Sequence, residues 1–152
     1  MAVYQIVEVG ADILREKAKE IKEMTPNVTK LLDNLLDTLY ASENGIGLAA
    51  PQIGVSKRAI VIDIGEGPVE LINPVILESR GEQVDSEGCL SIPDTIGDVT
   101  RAAELKVRGL DRQGQPLEIE AKDLLARVLQ HEIDHLEGVL FIDRAKKTQR
   151  VR

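Results

Sequence analysis

The six residues from Gln130 to His135 constrain this chain more than any other stretch. They contain the pattern His-Glu-x-x-His, and they lie in a run from 124 to 136 that has helical periodicity. Side chains four residues apart on a helix project from one face. The fold must therefore aim His131 and His135, the only histidines of the chain, at one shared space.

Two imidazoles placed in this way can bind one divalent metal, with Glu132 beside it as the candidate general base. Leu124 and Val128 share the histidine face of the helix, so we expect the metal where this helix meets a sheet. A solvated helix that carries these residues by chance is the alternative. The interpretation as a metal site therefore depends on a further ligand from elsewhere in the chain.

Cys89, the only cysteine, lies in the segment Glu87–Ser91 directly after a glycine. A thiolate together with two imidazoles would complete a set of three protein ligands and leave a fourth position open for water. An inert buried cysteine and a cysteine nucleophile are the other interpretations. A single cysteine also excludes an internal disulfide framework.

The segment from Gly45 to Gly54 is rich in glycine and alanine, which predicts extended backbone that another part of the chain approaches closely. It lacks the Lys-Ser/Thr ending of a phosphate-binding loop. Gln52 carries its only side chain with a hydrogen-bonding head, and that amide can donate to a developing oxyanion. A small-residue strand packed on a helix is a structural interpretation that is compatible with this role.

A chain of 152 residues fits one domain, which we assign to residues 1–152. Its formal net charge of −7 argues against a broad nucleic-acid surface, so no direct DNA binding is expected. No apolar run approaches the length of a membrane span, so no membrane association is expected either.

The remaining patterns predict an α+β fold, with mostly antiparallel or mixed β-sheets around the central C-terminal helix that carries His131 and His135. A leucine-rich helix begins at Thr25, with Pro26 as its first residue, stops at Asn44-Gly45 and lies on the outside. Asp12 and Asp123 are expected to cap a short helical turn and the last helix. Strands are predicted at 58–64, 69–77 (with an edge or a bend at Asn73-Pro74), 101–110 and 116–121, and the basic tail 144–152 as a solvated, frayed end.

Three ordered stretches, GIGLAAPQ (45–52), EGCLS (87–91) and QHEIDH (130–135), resemble the three motifs of the peptide deformylase family. The similarity extends over nearly the whole chain. It implies a metal-dependent hydrolase that removes the formyl group from the N-terminal formyl-methionine of new bacterial and organellar proteins. A glutamate before the Gly-Cys pair, together with the cysteine itself, resembles the bacterial class of that family.

The resemblance implies a role for each motif residue. The metal ligands would be Cys89, His131 and His135. Glu132 would be the general base and then the acid, while the Gln52 amide and the backbone N–H of Leu90 would donate to the oxyanion. The substrate methionine would enter a pocket lined by Ile46, Gly47, Leu124, Val128 and His131, and Glu87, a further substrate-site residue, would pair with Arg101.

The same resemblance implies one divalent metal per chain, natively Fe(II), with Zn(II) or Ni(II) in some preparations. Its partners would be N-terminal formyl-Met peptides of nascent chains, and a ribosome contact is left open. The chain would act as a monomer in the bacterial cytoplasm, or in an organelle if a transit peptide had been removed.

Two positions depart from the pattern of some relatives. Ile96 stands where some members carry an arginine near the bound peptide, and Arg127 stands where an apolar residue is frequent. Both concern fine substrate preference and not the reaction. Three other functions are compatible with parts of the pattern: a metallopeptidase with the same histidine pair, a hydrolase with Cys89 as nucleophile, and a catalytically silent binding module.

Overall fold

A computed structural model describes residues 2–151 and contains two antiparallel sheets with a long helix between them. The fold class predicted from the sequence is thereby confirmed. The helices are α1 (Pro26–Ala41), α2 (Asp123–Leu136) and α3 (Phe141–Arg144), with short 3-10 helices at Asp12–Arg15 and Ala50–Ile53. The strands are β1 (Gly47–Ala49), β2 (Ala59–Ile62), β3 (Val69–Arg80), β4 (Gln83–Cys89), β5 (Ile92–Arg101), β6 (Glu104–Leu110), β7 (Pro116–Lys122) and β8 (Thr148–Arg150).

Five strands form the larger sheet in the order β1-β2-β3-β6-β7, and β4, β5 and β8 form the smaller one. Strand β2 explains how two helices share the larger sheet. All four of its residues are buried, because successive side chains point to opposite faces. Ile60 and Ile62 pack in the cluster of α2, whereas Ala59 and Val61 pack in the cluster of α1. The histidine helix therefore has the sheet on one side, as the sequence predicts.

Local signals placed the helices well but misplaced three of their ends. Asp12 and Asp123 are the first residues of their helices and not the caps, and neither capping position makes a side-chain cap hydrogen bond. Helix α1 begins at Thr25-Pro26 as predicted but ends at Ala41, before Asn44-Gly45, because the Ser42 hydroxyl donates to the Leu39 carbonyl and closes the last turn.

Asn73-Pro74 produces a bend and not a sheet edge, since β3 lies between β2 and β6. Asn73 has a φ of 52°, and the pairing with β6 shifts register between Ile72 and Val75. The freed Asn73 side chain accepts from the Ile21 N–H at 2.9 Å and donates to the Ile21 carbonyl at 2.8 Å. The bulge thus holds the N-terminal segment against the sheet.

The prediction of a frayed basic tail is wrong for its described residues. Arg144 ends α3, and Thr148–Arg150 pair with Thr95–Gly97 as β8. The Val151 N–H donates to the Asp94 carbonyl at 2.7 Å. Long-range pairing with an open sheet edge supplies the hydrogen bonds, which local composition cannot reveal. Arg152, also part of that prediction, lies outside the described residues. Among residues 2–151, no helix is both long and apolar enough to cross a bilayer.

Gly138 follows α2 at a position where a side chain is expected to lower the free energy of unfolding. Its φ is +75°, and a Cβ there would lie 2.5 Å from the Arg15 carbonyl oxygen. We expect Gly138→Ala to cost about 1–3 kcal/mol more than Gly54→Ala, since Gly54 has a φ of +86° with open space around it. Urea unfolding of both variants measures the difference, and equal midpoints would refute the close approach.

Candidate metal centre

Helix α2 presents His131 and His135 to the end of β4, where the chain turns into β5. Both imidazoles are almost fully buried. Together with the Cys89 sulfur they form a group of three possible ligand atoms that all lie within 4.8 Å of one another. The structure therefore brings the three sequence-predicted ligands to one point, although they are up to 46 residues apart in the chain.

The position of Cys89 follows from a distorted hairpin. Strands β4 and β5 are paired, and their register shifts between Glu87 and Cys89. A bulge of this kind turns a side chain away from regular alternation. The Cys89 Sγ reaches 3.3 Å from His135 Nε2. This hairpin was not among the strands predicted from the sequence.

Glu87 lies behind His131 and is buried. Its Oε1 lies 2.8 Å from His131 Nδ1, which directs the other ring nitrogen, Nε2, to the cysteine side. Arg101 donates to both carboxylate oxygens, at 2.9 and 2.8 Å, and confirms the predicted pairing. Burial opposes ionisation, but the hydrogen bonds from Arg101 and His131 hold the pKa of Glu87 well below its usual range. A carboxylate behind a histidine fixes the ring orientation of a metal ligand.

Glu132 follows His131 on α2 and is buried. Its Oε1 has no hydrogen-bond partner among the described residues. Burial raises the pKa of Glu132 to about 7. A carboxyl group with such a pKa can both accept and release a proton near neutral pH. Its Oε2 lies beside Gly47, where a Cβ would approach it to 2.7 Å.

The raised pKa of Glu132 predicts how the metal-free protein responds to pH. A glutamate carboxyl in the unfolded chain has a pKa of 4.5 and the folded Glu132 a pKa of about 7, so the folded state holds the proton longer. Stability is then lost as pH rises between these values, by about 3 kcal/mol in total. We expect metal-free Glu132→Gln to be more stable than wild type at pH 8 and equal to it near pH 4. Urea unfolding in a chelator tests this, and a wild type of equal stability at pH 8 would contradict it.

The Gln52 amide is held in one orientation. Its Oε1 accepts from the Ala49 N–H at 2.9 Å, and its Nε2 donates to the Ser91 hydroxyl at 3.1 Å. The same Nε2 lies 3.6 Å from the Cys89 sulfur. An amide nitrogen carries two hydrogens, and the one that donates to the sulfur at this long distance can serve a group bound beside the cysteine. Ser91 belongs to the EGCLS motif, but sequence reasoning gave it no role.

A cavity of about 580 Å³ leads to this point. Val128 in its wall is buried and Gly47 half-buried, whereas Ile46 and Leu124 are exposed. The other predicted site residues that line it are Gln52, Glu87, Cys89, Leu90, His131 and Glu132. His135 does not line the cavity and reaches the centre through its Nε2 beside the Cys89 sulfur.

The two departing positions also line the cavity, together with Val151 from the C-terminal segment. Ile96 lies beside Gly88, where a Cβ would approach Ile96 Cγ2 to 3.6 Å. Arg127 is buried, and its guanidinium is paired with Glu87. That contact joins positions 87 and 127 from two distant elements, so local sequence patterns carry no signal for it.

The donor set fits a divalent metal. One thiol and two imidazoles suit Fe(II) or Zn(II), and their number leaves room for a further ligand. The carboxylate behind His131 supplies the outer hydrogen bond that such histidines require. The buried, unpartnered Glu132 Oε1 beside these ligands supplies a proton acceptor for that further ligand.

Comparisons with known proteins agree with this geometry. The sequence model of the polypeptide deformylase family matches residues 3–151. The peptide deformylase of Desulfitobacterium hafniense is 66% identical over 150 residues, which are 99% of each chain, and that of Pelotomaculum thermopropionicum is 60% identical over 99% of this chain and 97% of its own. The crystal structure of peptide deformylase from Thermotoga maritima superposes with a TM-score of 0.93 at 41% identity, over 97% of this chain and all of the other. The resemblance seen in the three motifs is confirmed, and the chain belongs to the peptide deformylase family of hydrolases.

Proposed function

We propose that this chain hydrolyses the N-terminal formyl group of formyl-methionine peptides and releases formate, using a divalent metal held by Cys89, His131 and His135. One observation carries the proposal. The buried Glu132 carboxyl and the fixed Gln52 amide meet the three ligand atoms at the end of a single cavity. A base, an oxyanion donor and a ligand set are thereby within reach of one small acyl group.

Iron(II) is the proposed native metal, and Zn(II) or Ni(II) can occupy the same ligands, because thiolate and imidazole suit all three ions. When bound, such a metal polarises a carbonyl oxygen and lowers the pKa of a water molecule. His131 would be held for this task by Glu87, whose carboxylate accepts from its Nδ1. Cys89 would be held by the β4–β5 hairpin.

Glu132 would move the proton. As a carboxylate it accepts a proton from the attacking water, whose oxygen forms a bond to the formyl carbon. The bond between that carbon and the methionine nitrogen then breaks, and Glu132 returns its proton to the departing amine. The products are formate and a peptide with a free amino group. The burial of Glu132 raises its pKa and so favours its holding the proton between the two steps.

Gln52 and the backbone N–H of Leu90 would stabilise the oxygen that becomes negative during the attack. The second Nε2 hydrogen of Gln52 donates to the Cys89 sulfur at 3.6 Å, beside which the substrate oxygen would lie, and Leu90 follows Cys89 directly in the cavity wall. One such donor contributes about 3 kcal/mol to the transition state.

The methionine side chain would occupy the apolar part of the cavity between Ile46, Gly47, Leu124 and Val128. Glu87 lines the same cavity, but both of its carboxylate oxygens are occupied by Arg101 and further partners. We therefore propose that Glu87 affects substrate binding indirectly, by orienting His131. The absence of a side chain at Gly47 lets Glu132 pack directly against the backbone there, so the site beside the general base is narrow and suits formyl, the smallest acyl group.

Adding one methyl group at Gly47 is expected to lower kcat/KM about tenfold. A Cβ there would lie 2.7 Å from Glu132 Oε2 and 2.8 Å from Val128 Cγ1, so the general base must shift. Formate release by Gly47→Ala measures the loss, and its metal content should stay that of wild type. An unchanged rate would mean that the reaction does not depend on the position that Glu132 takes beside Gly47.

The experiment that tests the proposed function is anaerobic formate release from formyl-Met-Ala-Ser. We expect release that stops with a chelator, returns with Fe(II), Ni(II) or Zn(II), and is absent with the acetyl analogue. Release that survives chelation but stops on alkylation would favour Cys89 as a nucleophile. Cleavage of unformylated peptides would favour a metallopeptidase, and a folded, metal-loaded protein without either activity would favour a binding module.

The proposed substrates in the cell are nascent chains that still carry formyl-methionine. We propose that the chain acts in the bacterial cytoplasm, since its relatives are bacterial, and that it acts as a monomer. The net charge of −7 gives no support to DNA binding. A ribosome contact is left as a proposal, to be tested by cosedimentation of the protein with ribosomes.

A further inference from the structure

Arg127 is a buried cation that the proposed reaction leaves without a task. It lies on α2 one turn before His131, and its side chain is 5% exposed. One guanidinium nitrogen donates to Glu87 Oε2. The other two are directed at Gln83, to its carbonyl at 3.2 Å and its amide oxygen at 3.4 Å. The side chain therefore ties the ligand-bearing helix to β4.

The Glu87 carboxylate is held from two sides. Arg101 donates to Oε2 from Nε and to Oε1 from a terminal nitrogen, while His131 uses the remaining side of Oε1 and Arg127 that of Oε2. A carboxylate offers about four lone-pair sites, so these four contacts occupy all of them. Glu87 has no free acceptor position and one fixed orientation.

Arg127 differs from the other arginines of this cluster in its partner. Arg101 is shared between Glu87 and Asp134, and Arg144 pairs with Asp134, whereas Arg127 pairs with Glu87. Removing one partner of a buried ion pair weakens the compensation of the charge that stays behind. Without Arg127, the Oε2 of Glu87 would lose one of its two donors and the carboxylate could rotate away from His131.

Arg127 also lines the cavity, but its charge is not offered to a substrate there. All three guanidinium nitrogens are engaged by Glu87 and Gln83. An arginine at a position that is apolar in some relatives therefore acts on the carboxylate behind the metal ligand and adds no free charge to the pocket.

We propose that Arg127 is a positioning residue of the metal centre, which acts through Glu87 to hold the His131 imidazole in its metal-binding orientation. The proposal rests on the ligand set of the proposed function. It goes further by assigning a task to a residue with no contact to any ligand atom. Outer contacts of this kind typically change metal affinity by about 10- to 100-fold.

Cobalt(II) titration of the metal-free full chain tests the proposal without substrate. Thiolate-to-Co(II) absorption reports the ligand geometry, and competition with a chelator gives the affinity. We expect Arg127→Met to bind Co(II) about tenfold more weakly, with a shifted spectrum. In the Glu87→Gln background the same change should alter affinity less than about twofold, since two residues acting through one contact are not additive.

Arg112→Met is the matched control, because Arg112 also pairs with two carboxylates, Glu70 and Asp33, far from the centre. It should lose stability but bind Co(II) as wild type does. An unchanged affinity in Arg127→Met, or an equal loss in the Glu87→Gln background, would overturn the proposal. If Arg127→Met does not fold, Arg127→Gln, which is too short to reach Glu87, takes its place under the same criteria. Because no substrate is used, this outcome is independent of formate release.

Discussion

Glu132→Gln is expected to lower kcat for formate release by about 10³-fold while the protein keeps its metal. The variant side chain has the same shape and can occupy the same buried space, but it cannot accept a proton. Glu132 is not one of the three clustered ligand residues, so metal content should be unchanged. Loss of turnover without loss of metal separates a base from a ligand.

The burial of Glu132 is the reason for expecting so large an effect. It is 3% exposed, and its Oε1 has no partner among the described side chains. A solvent water molecule could take over as the proton acceptor only by entering the buried end of the cavity beside Glu132. The neighbouring Oε2 is confined by the backbone at Gly47, so the carboxyl group has little freedom to move, and there is little room for another side chain to take its place.

Formate release and metal analysis on the same preparation provide the measurement, and Glu78→Gln, in the exposed C-terminal part of β3, provides the control for an altered charge. The control should retain the wild-type rate. A Glu132→Gln enzyme within tenfold of wild type would show that the proton is taken by another group. The assigned mechanism would then be wrong even if the reaction were correct.

The sequence predicted the centre better than the structure around it. His131, Glu132 and His135 lie on one helix, so helical spacing alone fixes their relation. Cys89 and Gln52 come from other elements. Ligand chemistry offered Cys89 as a third ligand, and the family resemblance joined both residues to the histidines. In the structure the three possible ligand atoms lie within 4.8 Å of one another, Gln52 Nε2 lies 3.6 Å from the cysteine sulfur, and Glu132 lines the same cavity.

What the sequence did not predict depends on contacts between distant segments. Strand β8 exists because residues 148–150 meet the open edge of β5, and a basic composition says nothing about such an edge. The contact of Arg127 with Glu87 needs the packing of α2 on β4. The misplaced cap at Asp123 has a local cause, since its φ of 54° makes it a turn residue at the helix entry.

Gln52→Glu is expected to lower kcat by about 10²- to 10³-fold with little change in KM. The variant carboxylate can still accept from the Ala49 N–H, the contact that orients the native amide at 2.9 Å. It has no hydrogen to donate beside the Cys89 sulfur, and it places a negative charge where the substrate oxygen becomes negative. The loss should therefore fall on the transition state more than on the bound substrate.

Ser91→Ala tests whether the orientation of the Gln52 amide matters, because this variant keeps the amide donor but removes a group that holds it. The Ser91 hydroxyl accepts one Nε2 hydrogen of Gln52 at 3.1 Å and is fully buried. Without it the amide keeps its donor but loses one of its three contacts, so kcat should fall about tenfold, less than in Gln52→Glu. Rates measured at saturating substrate rank the two variants. A Gln52→Glu enzyme within threefold of wild type would mean that the metal and the Leu90 N–H stabilise the oxyanion alone, and a Ser91→Ala enzyme slower than Gln52→Glu would give Ser91 a task beyond orienting the amide.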